Sequence, residues 1–118
     1  MERQSNYFVD EAVAQHPDRL VGIGSVPLQD VKLAVKELER AVTKNGLKSV
    51  IIGSNVNGDE LGHKKFKPFW HKAVKLGAAI FIHPTGNTDP RMQAHYQMIT
   101  VGQPLEEAMA QARWYMMG

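Results

Sequence analysis

The residue in this chain best suited to chemistry is His83, which closes the run Ala79-Ile80-Phe81-Ile82-His83-Pro84. Imidazole can ligate a divalent metal or move a proton near neutral pH. A short apolar run of this kind reads as a strand buried on both faces, and it puts His83 at the strand's carboxyl end. Open parallel sheets and barrels hold ligands and metals at that end. On these residues alone two readings stand, a hydrogen-bonded core histidine or a metal ligand. A second segment, Gly53-Ser54-Asn55-Val56-Asn57-Gly58, also follows an apolar run. It reads either as a turn chosen for its tolerance of positive φ or as a pocket lining, with Ser54, Asn55 and Asn57 as the candidate substrate contacts. A catalytic zinc normally takes three protein ligands and keeps one position open. The remaining histidines, His16, His63, His71 and His95, show no His-x-His or His-Glu-x-x-His spacing, and all four are expected at the surface.

Several function classes are excluded or disfavoured by composition. The chain has no cysteine, so disulfides, thiolate metal sites and thiol nucleophiles are out, and the count fits a reducing cytoplasm. The formal charge of +2, from 14 basic and 12 acidic residues, is too small to suggest nucleic acid, and His63-Lys64-Lys65-Phe66-Lys67 reads as a solvated loop before a helix. No apolar run approaches the roughly 18 residues of a membrane-spanning helix, and the first residues lack the apolar core of a signal peptide. The expectation is a soluble, cytoplasmic protein with no nucleic-acid or membrane partner.

The elements that must position these residues alternate between helix and strand. Phe8, Val9, Ala12 and Val13 mark a helix stopped by Pro17. Leu20 to Val26 reads as a strand weakened by Gly22 and Gly24, and those two glycines lack the third glycine and helix opening of a dinucleotide fingerprint. Asp30 reads as the N-cap of the clearest helix, with Val31, Ala34, Val35, Leu38, Ala41 and Val42 inward and Lys32, Lys36, Glu37, Glu39 and Arg40 outward, closed by Asn45-Gly46. A strand over 49–53 and a polar loop over 54–60 come next. A helix opened by Pro68 carries the stripe Phe69, Trp70, Ala73, Val74 and Leu76 and stops at Gly77. Beyond His83 a polar loop and a segment over 92–99 of open type lead to a helix opened by Pro104. Trp114, Tyr115, Met116 and Met117 sit there at core-facing spacing.

Strands separated by such helices specify parallel βαβ units with right-handed crossovers. Three to four strands are too few for a barrel, which uses roughly 250 residues. The α/β chain is therefore a small sandwich or part of something larger.

The succession His16-Pro17-Asp18-Arg19-Leu20-Val21-Gly22-Ile23-Gly24, Pro27, Ala34-Val35-Lys36-Glu37-Leu38-Glu39, Gly46, Ile52-Gly53-Ser54-Asn55-Val56-Asn57-Gly58, Phe69-Trp70 and Phe81-Ile82-His83-Pro84 resembles the amidohydrolase-related family. Gly102-Gln103-Pro104-Leu105-Glu106-Glu107-Ala108 continues the match, which spans nearly the whole chain. The resemblance implies a metal-dependent TIM (β/α) barrel acting on small carboxylated or aromatic substrates, most often as a nonoxidative decarboxylase and sometimes as a hydrolase. It implies that His83 ligates a divalent metal, zinc or manganese. The family's His-x-His pair, its later catalytic histidine and its late aspartate have no counterpart in this chain. Its aminocarboxymuconate semialdehyde decarboxylase-like members carry Trp-Asp after His-Pro, where this chain has Thr85-Gly86.

Residues 1–118 thus read as one domain, a central slice of such a barrel with three to four parallel strands alternating with helices. Such a slice is expected to hold no metal tightly on its own and to show little or no turnover. Its partners are expected to be a small-molecule substrate and, through exposed sheet edges, a second copy of itself. The rival from another class is a non-enzymatic small α/β binding module.

Overall fold

A computed structural model describes residues 2–85, 89–93 and 96–117. Helix α1 (Glu2–Gln15) leads to strand β1 (Ile23–Ser25), helix α2 (Val31–Thr43), strand β2 (Ser49–Gly53), the short strands β3 (Asn55–Val56) and β4 (Asp59–Glu60), helix α3 (Lys67–Leu76) and strand β5 (Ala79–His83). Helix α4 (Gln103–Met117) ends the described chain. The main sheet has the order β1-β2-β5 and is parallel, with Ile23, Gly24 and Ser25 opposite Ser49, Val50 and Ile51. This is the strand-helix-strand alternation of a barrel segment. The residues group into two compact units, Met1–Ile52 with Lys65–Phe81, and Gly53–Lys64 with Ile82–Gly118.

In the first unit α2 forms as its pattern demands. Asp30 accepts from Leu33 N–H at 3.1 Å as the N-cap, and Ala34, Leu38 and Ala41 are buried. The α3 stripe is narrower than expected. Phe66, Phe69 and Ala73 are buried at intervals of three and four, while Val74, a further 100° round the helix, is 82% exposed. Gly77 adopts φ +63 and donates to the carbonyls of Ala73 and Val74, closing the helix. The basic run before α3 is exposed at Lys64, Lys65 and Lys67, but Phe66 turns fully inward.

Two expected faces are corrected by polar pairing. On α1 the inward position is Asn6, fully buried, with Val9, Asp10 and Val13 half-buried or less exposed than their neighbours, while Phe8 is 60% exposed. On α2 Glu37 is buried rather than outward. It accepts from Asn6 Nδ2 at 2.7 Å and from Arg40 Nε and Nη2 at 2.9 and 2.7 Å. Arg40 Nη1 continues to Asn45 Oδ1 at 2.7 Å, and Asn45 Nδ2 to Asp10 Oδ2 at 2.8 Å. The hydrogen bond to Glu37, opposed in part by burial, holds the Arg40 guanidinium above its ordinary pKa.

β1 is shorter than read, because Leu20 and Val21 lie outside it and exposed. Gly22 and Gly24 serve close approach: a Cβ at Gly22 would meet Leu47, Val9 and Val13, and one at Gly24 would meet Leu47 and Asn6.

β5 is the main correction. It is not buried on both faces, since Ala79, Phe81 and His83 are exposed and Ile80 and Ile82 only half-buried. Among the described residues it ends the sheet order and pairs on one side only, whereas central β2 buries Val50 and Ile52.

In the second unit the polar loop contains a hairpin. β3 and β4 pair antiparallel, with Asn55 opposite Glu60 and Val56 opposite Asp59. Asn57 and Gly58 form its two-residue turn at φ 51 and 84, the positive pair of a type I′ connection. The segment of open type gives a 3-10 turn over Pro90–Met92 and a π-helical turn over Met98–Gly102 that runs into α4. Along α4, Leu105, Met109, Trp114, Tyr115 and Met116 are all exposed, so their helical spacing does not mark a core here. Among the described residues no helix is long and apolar enough to cross a membrane.

Candidate functional site

Residues from three separate stretches of sequence converge in the second unit. β5 delivers His83, whose ring Nδ1 lies 2.9 Å from the carbonyl oxygen of Pro84. A carbonyl can only accept, so Nδ1 carries a proton and donates, and in the neutral imidazole this leaves the Nε2 lone pair free. That is the tautomer a metal-ligating histidine uses when its second nitrogen is tied to a backbone carbonyl. Among the described residues His83 is exposed.

The residues past β2 stand beside this strand end. Ser54 is 2% exposed. Its Oγ lies 2.9 Å from Thr85 Oγ1, accepts from Thr85 N–H at 3.1 Å and donates to Glu106 Oε1 at 3.1 Å. Asn55 Nδ2 donates to Thr85 Oγ1 at 2.8 Å and to Glu106 Oε1 at 3.2 Å, and Asn55 Oδ1 accepts from Gly58 N–H at 3.2 Å. A Cβ at Gly53 would run into the Thr85 methyl, so only glycine lets Thr85 approach β2 so closely. Asn57 stands apart from this cluster, exposed at the tip of the hairpin.

Ser54 and Asn55 are thus brought together near His83's strand end, while Asn57 is held by turn geometry. Thr85 and Glu106 belong to the cluster although the sequence did not single them out. Glu106 comes from the first turn of α4, and no spacing ties it to position 54. Its only signal was an acidic residue just inside a helix opened by proline.

His16 and His71 are exposed and His63 half-buried, and none of them joins His83; His95 lies outside the described residues. Among the described residues no group of three or more histidine, cysteine, aspartate or glutamate side chains is placed to hold a metal. His83 fits the part of one metal donor. The rest of a ligand set is not assembled by the described residues.

A parallel β/α segment with an imidazole at a strand's carboxyl end has the layout of a portion of an α/β barrel. The chain belongs to the amidohydrolase family, whose pattern matches residues 2–111. It is 37% identical over 106 residues to the 2-amino-3-carboxymuconate-6-semialdehyde decarboxylase of Dictyostelium discoideum, covering 89% of this chain and 30% of that protein. The crystal structure of 2,6-dihydroxybenzoate decarboxylase from Rhizobium superposes with a TM-score of 0.92 over 99% of this chain and 40% of that one, at 24% identity, a likeness of fold. The 5-carboxyvanillate decarboxylase of Novosphingobium aromaticivorans, solved with manganese and 4-hydroxy-3-methoxy-5-nitrobenzoic acid, matches at a TM-score of 0.84 and 25% identity, over 95% of this chain and 33% of that one. The chain therefore spans about a third of the length of these relatives.

Proposed function

We propose that this chain is the portion of a nonoxidative decarboxylase that contributes one ligand to a divalent metal centre, acting on small carboxylated or aromatic substrates. The observation that carries the reading is the free Nε2 of His83, set by the hydrogen bond from Nδ1 to Pro84 O at 2.9 Å, at the carboxyl end of a parallel strand. Two relatives named as decarboxylases support the reaction class, and the manganese bound to one of them supports a divalent metal, zinc or manganese. When bound, the metal supplies Lewis-acid polarisation of a substrate oxygen. This chain's own part is to hold the imidazole in the donor tautomer and to shape the neighbouring wall. Asn55 is the candidate substrate contact on that wall, with Ser54 buried behind it, and Asn57 is a separate candidate at the hairpin tip.

The test is a manganese(II) titration of the 118-residue chain followed by proton NMR. Paramagnetic broadening is expected to begin at the His83 ring and to be lost in His83→Ala. Broadening spread evenly over exposed carboxylates, with His83 no more affected than His16 or His71, would overturn the reading and favour a non-enzymatic module. Incubation with carboxylated aromatic acids is expected to release no carbon dioxide, because one donor does not make a catalytic centre.

A further inference from the structure

We propose that Glu106 is a positioning residue that fixes the tautomer and direction of the His83 imidazole through Ser54 and the Pro84–Thr85 peptide. The inference deepens the reading of His83 as a metal donor and rests on it for its purpose, though not for its test.

Proton counting assigns every hydrogen bond in the cluster a direction. Gly58 N–H donates to Asn55 Oδ1, so the Asn55 amide is oriented with Nδ2 toward Thr85 and Glu106. Its two N–H groups are then spent on Thr85 Oγ1 and Glu106 Oε1. The single Ser54 hydroxyl proton goes to Glu106 Oε1. The contact of 2.9 Å between Ser54 Oγ and Thr85 Oγ1 must therefore be donated by Thr85. Ser54 Oγ accepts both the Thr85 hydroxyl and the Thr85 backbone N–H. Every donor chain ends on the Glu106 carboxylate, which accepts and cannot donate when ionised.

The link to His83 is a single planar unit. The N–H that Ser54 receives and the carbonyl that His83 Nδ1–H reaches belong to one peptide bond, Pro84 to Thr85. A planar trans peptide cannot turn one of these groups without turning the other. Clamping Thr85 N–H on Ser54 Oγ thus aims Pro84 C=O at the imidazole. A carboxylate at the far end polarises the series in one direction, as in other chains of hydrogen bonds. Without Glu106, Ser54 and Asn55 each lose an acceptor. Ser54 is then free to rotate and donate to Thr85 Oγ1, so the oxygen that receives Thr85 N–H is no longer fixed or polarised by a carboxylate.

The experiment reads the neutral imidazole tautomers of the 118-residue chain by long-range nitrogen–proton NMR, without metal, at a pH where histidine is uncharged. In the parent chain the Nδ1–H to Nε2–H ratio of His83 is expected to stand about fivefold above that of an unconstrained histidine, the factor that one net hydrogen bond of about 1 kcal/mol supports. Exposed His16 and His71 in the same spectrum give the unconstrained ratio. Glu106→Ala should bring His83 to that ratio, and Glu106→Gln, which keeps an accepting oxygen, should preserve the excess. Ser54→Ala cuts the series with the carboxylate intact and should act like Glu106→Ala, which keeps the idea open to refutation if one variant fails to fold. A His83 tautomer excess retained in a folded Glu106→Ala or Ser54→Ala chain would overturn the proposal. Because no metal is present, this outcome is independent of whether manganese gathers at His83.

Discussion

Asn6 on α1 and Ser25 on β1 pair as two neighbouring strand residues do. Asn6 Nδ2 donates to Ser25 O at 2.8 Å, and Ser25 N–H donates to Asn6 Oδ1 at 2.6 Å. A side-chain amide reproduces the donor–acceptor pair of a peptide, so the outer edge of β1 is satisfied at Ser25 without another strand. Because Asn6 Nδ2 also reaches Glu37, one fully buried side chain ties α1, β1 and α2 together.

Removing that amide is therefore expected to be costly. Asn6→Ala leaves a backbone donor, a backbone acceptor and part of the Glu37 carboxylate without partners, and a loss of about 2–3 kcal/mol is expected from urea unfolding. Asn6→Asp conserves volume, but it withdraws both amide donors and sets a carboxylate against Glu37, so it should destabilise at least as much at neutral pH. A change under about 0.5 kcal/mol in both, the range of ordinary surface substitutions, would show that the pairing carries little stability.

The same side chain shows where the sequence could be read and where it could not. The helices α2 and α3, the strand over 49–53 and the strand ending at His83 were legible because local signals agree there: Asp30, Pro68 and Gly77 mark ends, and apolar residues recur at the right period. Asn6, Glu37, Thr85 and Glu106 were not, because each matters through a hydrogen bond to a residue at least 31 positions away or, for Asn6, also 19. Polar side chains carry no periodicity that reveals such partners. The exposure of Phe81 on β5 and of Tyr115 and Met116 on α4 was illegible for another reason. Apolar spacing reports a face that some neighbour covers, and the described residues do not supply that neighbour. The hairpin carries a local signal in Asn57-Gly58, since Asn-Gly between short runs is the strongest short-range hairpin sequence.

Asn57 has two explanations, a turn residue and a candidate substrate contact, and one substitution separates them. At φ 51 asparagine is among the few residues with a side chain that tolerate the position. Asn57→Gly should leave the Val56–Asp59 pairing intact in backbone cross-strand NMR contacts, while Asn57→Val should weaken the hairpin by about 1–2 kcal/mol. If Asn57 also contacts substrate in an active barrel carrying this segment, Asn57→Gly raises KM with the hairpin unchanged. An unchanged KM would leave the turn as its whole role.

Asp89 offers a pH-dependent prediction at the 3-10 turn over Pro90–Met92. Its carboxylate accepts from Arg91 Nε at 3.1 and 3.0 Å and from Arg91 N–H at 2.9 Å. These bonds, the side-chain one foremost, hold its pKa at about 2, below the usual 3.8. A carboxyl group whose folded value is depressed adds stability that is present above 3.8 and is lost as pH falls through about 2. The turn should accordingly persist in mild acid and loosen only near the lower value. Carbon-detected titration of the Asp89 carboxyl is expected to show a midpoint near 2, and Arg91→Ala should return it toward 3.8. Because the pair is exposed, added salt should move the parent midpoint the same way. A midpoint already at 3.8 in the parent chain at low salt would mean that the Asp89–Arg91 pairing is not formed in solution.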